Sequence, residues 1–234
     1  MIHSVPDEIR DASAEELLRW AFAEFGDGIA IASSFGAEDM VLLDIAAKVA
    51  ERPRVFTLDT GRLPEETYAL IDRARERYGL DVEVFFPDRA AVEEMERTAG
   101  ANLFYRSIED RKRCCGVRKM EPLGRAMADL DAWVCGLRRE QAVTRAEVAK
   151  VEVDTNNRGI LKFNPLADWT LDELWTYIRA NDVPYNALHD KGYPSIGCAP
   201  CTRAVGAGED IRAGRWWWEA PEHKECGLHA KASA

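Results

Sequence analysis

Short apolar runs alternate with helix-length stretches through most of the chain, and this alternation leaves few folds open. "GIAIASSF" (28–35), "RVFTLD" (54–59), "VEVFF" (82–86) and "AWVCG" (132–136) read as strands. Between and after them, 38–50, about 64–78, 91–100, about 118–129 and about 138–149 read as helices, Pro64 sitting well in a first turn. Ser13 with Glu16, and Thr170 with Glu173, make capping boxes that open two more. "VEVD" and "ILKF" are expected as short later strands. Strands joined through helices pair in parallel, so an α/β fold with a doubly wound, mainly parallel sheet is expected. Beyond Cys201 the alternation stops. Residues 202–234 are rich in Gly, Ala and charge and read as a mobile C-terminal tail. The expected division is an α/β domain over 1–201 followed by that tail.

A chain of 234 residues, 47% hydrophobic, can bury one sizeable core. Its net charge of −10 offers no broad basic surface for phosphates, so nucleic acid is not an expected partner. No apolar run reaches membrane-span length, and "MIHSVPDEIRDASAEELL" lacks the basic and apolar regions of a signal peptide. A cytoplasmic location is expected, where clustered cysteines serve metals or redox chemistry more often than structural disulfides. The oligomeric state is open, and a homo-oligomer is compatible with the sequence.

In open parallel sheets ligands bind beyond the carboxyl ends of the strands. "SSFGAED" (33–39) follows the first strand and opens a helix, so its backbone N–H groups can cradle an anion. "LDTGRLPEE" (58–66) follows the second, with Asp59 and Thr60 at its tip and Gly61 allowing a tight turn. Both also fit ordinary strand-to-helix turns. Neither a Walker A nor a GxGxxG pattern is present; "GAGEDIRAG" fails the latter at Ile211.

The cysteines form pairs. Cys114 and Cys115 stand side by side in "RKRCCGVRK", and Cys198 and Cys201 form "GCAPC". Together they supply four thiolates, the number a [4Fe–4S] cluster requires. A zinc set is an equally concrete alternative: Cys198, Cys201, Cys226 and His229 make Cys₃His, though this leaves the adjacent pair unexplained. A vicinal disulfide is disfavoured by geometry. Cys135, in an apolar strand, reads as a buried core thiol. Arg111, Lys112, Arg113, Arg118 and Lys119 oppose the charge of four thiolates; 111–113 alone read as a solvated face, whereas Lys119 lies one helical turn past Cys115. Cys226 in "KECGLH" has Lys224, His223 and His229 around it, a setting that lowers a thiol pKa and suits a nucleophile.

Taken together, "SSFGAED", "LDTGRLPEETY", "CCGVRKMEPL", "GLRREQAVTR", "NPLADWT", "VPYNALHDKGYPSIGCAPCT", "GEDIRAGRWWWE" and "KECGLH" resemble assimilatory adenylyl-sulfate (APS) reductases, in the wider family with phosphoadenylyl-sulfate (PAPS) reductases. The motifs run in family order over about 28–229. The resemblance implies an adenine-nucleotide alpha-hydrolase-like fold and reduction of APS to sulfite and AMP, with thioredoxin as electron donor. "SSFGAED" departs from the SGGxDS form of ATP pyrophosphatases, which puts ATP cleavage in doubt. By position, the resemblance makes Cys226 the nucleophile that forms S-sulfocysteine, and Cys114, Cys115, Cys198 and Cys201 the [4Fe–4S] ligands. It puts Lys119, Arg212 and Arg215 around the phosphosulfate and Arg139, Gln141 and Arg145 in a substrate loop. Ser33 and Leu58 match backbone contacts to the nucleotide; His229 matches a tail histidine without an assigned role. PAPS-specific relatives typically lack the cysteine pairs, which favours APS. The rival readings are a PAPS reductase that kept its cluster, an RNA-thiolation enzyme with a pyrophosphate loop, and a zinc-binding nucleotide-binding regulator.

Overall fold

In the computed structural model, residues 5–220 and Lys224 are described. The elements follow in the order α1 (Asp7–Arg10), α2 (Ala14–Phe25), β1 (Ile29–Ala32), α3 (Ala37–Val49), β2 (Val55–Leu58), α4 (Glu65–Tyr78), β3 (Val82–Phe85), α5 (Arg89–Ala99), α6 (Ile108–Cys115), α7 (Glu121–Ala126), β4 (Ala132–Val134), β5 (Val151–Asp154), β6 (Ile160–Phe163) and α8 (Leu171–Ala180). Both expected capping boxes form: Ser13 and Thr170 each accept from the amide three residues on and receive its Glu side chain in return. The sheet has six strands in the order β3-β2-β1-β4-β6-β5. β1 pairs in parallel with β2 and β4, and β4 with β6, while β5 and β6 form an antiparallel hairpin. This is the doubly wound, mainly parallel sheet expected, with one antiparallel edge strand. The order in which strands are added reverses between the parallel neighbours β1 and β4, and such switch points are where folds of this kind bind ligands.

The chain divides into two compact units. One comprises Met1–Phe56, Ala69–Val82 and Asp129–Asn186. Its core stacks α2, α3 and α8 on the sheet, with Leu17, Leu18, Ile29, Ile31, Met40, Leu43, Val134 and Phe163 fully or almost fully buried. Trp20, Phe25 and Phe163 meet ring against ring at about 6 Å between centroids. The other unit comprises Thr57–Tyr68, Glu83–Ala128 and Ala187–Ala234. Its smaller apolar cluster gathers Met95, Leu103, Phe104, Cys114, Cys201 and Trp216, with Val117, Cys198 and Trp218 against them.

Two helix expectations change. The double cysteine ends a helix, α6, that sequence periodicity does not announce. Ser107 caps it by accepting from the Asp110 amide, acidic residues open it and basic residues close it, so its ends rather than an apolar face stabilise it. A wide turn over Gly116–Met120, closed by the Glu121 amide on the Gly116 carbonyl, then leads into α7, which is shorter than the helix expected over about 118–129. Bulged turns of this i→i+5 kind are frequent at functional sites. The helix expected over about 138–149 is replaced by two single turns, Arg139–Gln141 and Val143–Arg145. Here the Gln141 side chain accepts from the Arg138 amide and donates to the Gly136 carbonyl, so a side chain satisfies backbone groups that a helix would otherwise pair.

Residues 202–220, assigned by sequence to the tail, are packed: Thr202 bridges Arg215, the Trp216 amide donates to the Cys201 carbonyl, and Trp216 and Glu219 are buried. No helix among the described residues is long and apolar enough to cross a membrane.

Candidate active site

The second unit carries the thiols. Cys114 and Cys115 end α6, and Cys198 and Cys201 flank the turn Ala199–Cys201, more than eighty residues away in sequence. Cys114, Cys198 and Cys201 share one apolar cluster. Burial raises the pKa of Cys201, and the neighbouring Cys198, Cys115 and Cys114 thiols raise it further, so all four groups act on one site. Cys114 is raised likewise, chiefly by burial, against the pull of Arg118. None of the described cysteines is in a disulfide. Cys135 lies in the other unit, wholly buried and hydrogen-bonded at 2.9 Å to Asn164 Oδ1; burial pushes its thiol up to about 12, which makes it the inert core thiol expected.

A third wall comes from the loop after β2. Thr60 Oγ1 lies 3.2 Å from Cys198 Sγ, and the Arg62 carbonyl accepts the Ala199 amide at 2.8 Å. Gly61 makes the turn with φ +69, and a Cβ there would stand 3.0 Å from the Phe86 ring, so it serves both the turn and a close approach. Thr60 and Arg62 were legible only as loop residues; their place beside "CAPC" depends on the tertiary fold.

The basic residues separate by environment. Arg111 is not a solvated charge: it is almost fully buried, bonded through Nε and Nη2 to Glu219 at 3.0 and 2.7 Å, and stacked over Trp216. Arg118 is buried too, donating from Nη1 to the Thr60 carbonyl and from Nη2 to Glu96. Lys112 and Arg113 are exposed, as the solvated-face reading has it, and Lys119 is half-buried on the wide turn. Arg215 stacks over the Trp216 ring, 4.7 Å from its centroid, and donates to the Ile196 carbonyl. A Cβ on Gly197 would fall 2.3 Å from Arg215 Nη2, so the residue before Cys198 must be glycine for Arg215 to lie there. Arg212 donates to the carbonyl of Lys224, whose ammonium reaches the Ala213 carbonyl. Cys226 and His229 lie outside the described residues.

The first unit carries Ser33, Arg139, Gln141 and Arg145. Ser33 is buried, its amide bonded to the Phe56 carbonyl and its hydroxyl accepting from Phe35, while Leu58 closes β2 in the second unit. In the 138–145 turns, Arg139 Nε donates to the Val148 carbonyl, and Arg145 is buried with Nη1 on Gln141 Oε1. Gln141 is therefore the hub of that loop. Arg138, which sequence reasoning passed over, is 1% exposed and bonds Glu38 Oε1 from Nε at 3.0 Å and from Nη2 at 2.9 Å. The loop "SSFGAED" does not present the open cradle expected of it: the Asp39 carboxylate takes the Ser34 amide at 2.6 Å and the Ser34 hydroxyl at 2.7 Å.

Residues 28–204 match the phosphoadenosine phosphosulfate reductase domain family. The chain belongs to this family. It is 54% identical over 96% of its length to the adenosine 5'-phosphosulfate reductase of Allochromatium vinosum, covering 87% of that protein. It is 47% identical over 97% of its length to the enzyme of the same name from Pseudomonas aeruginosa, covering 86% of it. Among solved structures it is similar to the PAPS reductase of Candida auris in its phosphate complex, with a TM-score of 0.72, 28% identity, and 87% and 99% of the two chains covered. The FMN adenylyltransferase of Candida glabrata shares the fold at TM-score 0.58 and 16% identity, covering 98% of this chain and 78% of that one.

Proposed function

We propose that the chain reduces adenylyl sulfate to sulfite and AMP in sulfate assimilation, with a thioredoxin-type dithiol as reductant. The observation that carries this reading is the gathering of Cys114, Cys198 and Cys201 in one apolar cluster, with Cys115 next to Cys114 in the chain, in a protein about half identical to adenosine 5'-phosphosulfate reductases. Cys226 thiolate attacks the substrate sulfur; the sulfur–oxygen bond to the phosphate breaks and AMP leaves with the electron pair. The S-sulfocysteine that remains is attacked at Cys226 by a thiolate of the reduced dithiol, which releases sulfite and forms a mixed disulfide. The second thiol of the donor resolves it, so both electrons come from the dithiol. Charge grows on the departing phosphate, and Lys119, Arg212 and Arg215 are the family-matched cations for that charge.

Cys114, Cys115, Cys198 and Cys201 would hold a [4Fe–4S] group. The donor set fits it in two respects. Cys114, Cys198 and Cys201 share one apolar cluster, and Cys115 adjoins Cys114 and acts on Cys201 with them. Four buried N–H donors around the pocket, on Arg118 Nε, Arg215 Nε, Trp216 Nε1 and Trp218 Nε1, have no hydrogen-bond partner, and such donors are costly unless something accepts from them. When bound, the group would supply negative, polarisable charge rather than net electrons, and Lys119 is the cation expected to respond to it. Free thiols and a dithiol donor fit a reducing, cytoplasmic compartment.

The test is anaerobic purification followed by iron and acid-labile sulfide analysis and an APS-dependent sulfite assay with reduced thioredoxin. Iron with sulfide and sulfite release are expected. One equivalent of zinc without iron would refute the cofactor, and a larger kcat/KM for PAPS would refute the substrate.

A further inference from the structure

The loop after β1 has the form of an anion site: a strand ends, the chain turns, and a thirteen-residue helix opens at Gly36. Yet the donors of that loop are already used. The Ser33 amide goes to the sheet, the Phe35 amide to Ser33 Oγ, and the Ser34 amide and hydroxyl to Asp39. The Gly36 amide also favours the Asp39 carboxylate. The turn is held with Phe35 at φ +57, a left-handed conformation unusual for a bulky residue. Gly136, just past β4, completes the enclosure: a Cβ there would lie 2.5 Å from Asp39 Oδ1. The neighbouring Glu38 is engaged by Arg138, which leaves Asp39 with neutral donors only.

We propose that Asp39 is a built-in anion that occupies the loop after β1 and excludes pyrophosphate from it, making it a specificity-determining residue. A terminal phosphoryl group carries about two charges near neutral pH, so a fixed carboxylate in the loop opposes it both sterically and electrostatically. Adenylyl sulfate has a single phosphoryl group, so it brings no pyrophosphate to the loop. The inference rests on the proposed activity only for its choice of AMP as reference ligand. Burial pushes the Asp39 carboxyl up to about 6, so the charge is retained at neutral pH against its solvation preference.

Titration calorimetry of the full-length, anaerobically purified protein with inorganic pyrophosphate, and in parallel with AMP, tests this. Asp39→Asn keeps an acceptor for Ser34 and removes the charge; the ratio of pyrophosphate to AMP affinity is expected to rise about tenfold or more, the equivalent of one close charge. Asp39→Ser answers the same question if the amide is not accommodated, and Asp39→Glu should leave the ratio low. Wild-type protein that binds pyrophosphate as tightly as the uncharged variants overturns the proposal, and tight binding by wild type does so without any variant. Loss of the proposed activity would show separately, as no sulfite from APS, and would leave the pyrophosphate comparison intact.

Discussion

Cys226→Ser should still take up iron and bind AMP while losing APS-dependent sulfite formation, because the replacement keeps the size of the side chain and removes the nucleophile. Iron analysis and a sulfite assay on the same preparation read both halves, and substantial residual sulfite would remove Cys226 from that role. Lys119→Ala should lower kcat with far less effect on Tm, since the lysine sits half-buried on the wide turn and contributes little to the core. Asp39 yields a pH prediction. Its carboxyl lies at about 6 in the fold against the ordinary aspartate value of 3.8, raised chiefly by burial and further by Glu38. Ionisation is therefore disfavoured in the fold: the group's stabilising contribution is full below 3.8 and is lost as pH rises to about 6, a difference of roughly 3 kcal/mol. Across that window Tm should fall more in wild type than in Asp39→Asn, and superimposable pH profiles would contradict the assignment. Cys135, also near this carboxylate, titrates far above the window.

At the scale of elements, the packed segment 202–220 depends on close approaches that only glycine and a buried ion pair permit. Removing one partner of the Arg111–Glu219 pair, whose side chains are both 2% exposed, leaves an uncompensated buried charge; Glu219→Ala should cost about 3–5 kcal/mol in urea unfolding. Gly197→Ala places a methyl against the Arg215 guanidinium and should cost about 1–3 kcal/mol while lowering iron retention, because the residue precedes Cys198. Sequence periodicity found α2, α3, α4, α5 and α8, each of which has an apolar face to bury or a clear cap. It missed α6, where "IEDRKRCC" has no apolar period; the Ser107 and Asp110 spacing was the available signal. It over-extended "RREQAVTR" into a helix because the pattern does not show that Gln141 bonds the backbone of its own loop.

For the whole molecule, the two units have unequal cores, the first built on the sheet and the second on a few residues around the thiols. Removal of iron by a chelator should therefore unfold locally rather than globally. Hydrogen exchange should show retained protection in β1, β4 and β6 and loss of protection over 107–126 and 195–202; uniform loss would argue that the thiol centre is not confined to the second unit. The alternating α/β order, the mainly parallel sheet and the family are all legible in the residues alone, because apolar periodicity and residue spacing are local properties of the chain. The sequence also singled out Cys114, Cys198 and Cys201, which share the apolar cluster of the second unit. Only the tertiary structure decided what stands beside them: Thr60 and the Arg62 carbonyl at "CAPC", Glu219 and Trp216 on Arg111, and the carboxylate of Asp39 in the loop expected to be open. Those contacts join residues far apart in sequence, or depend on where one side chain turns, and burial and charge pairing set them only once the core has closed.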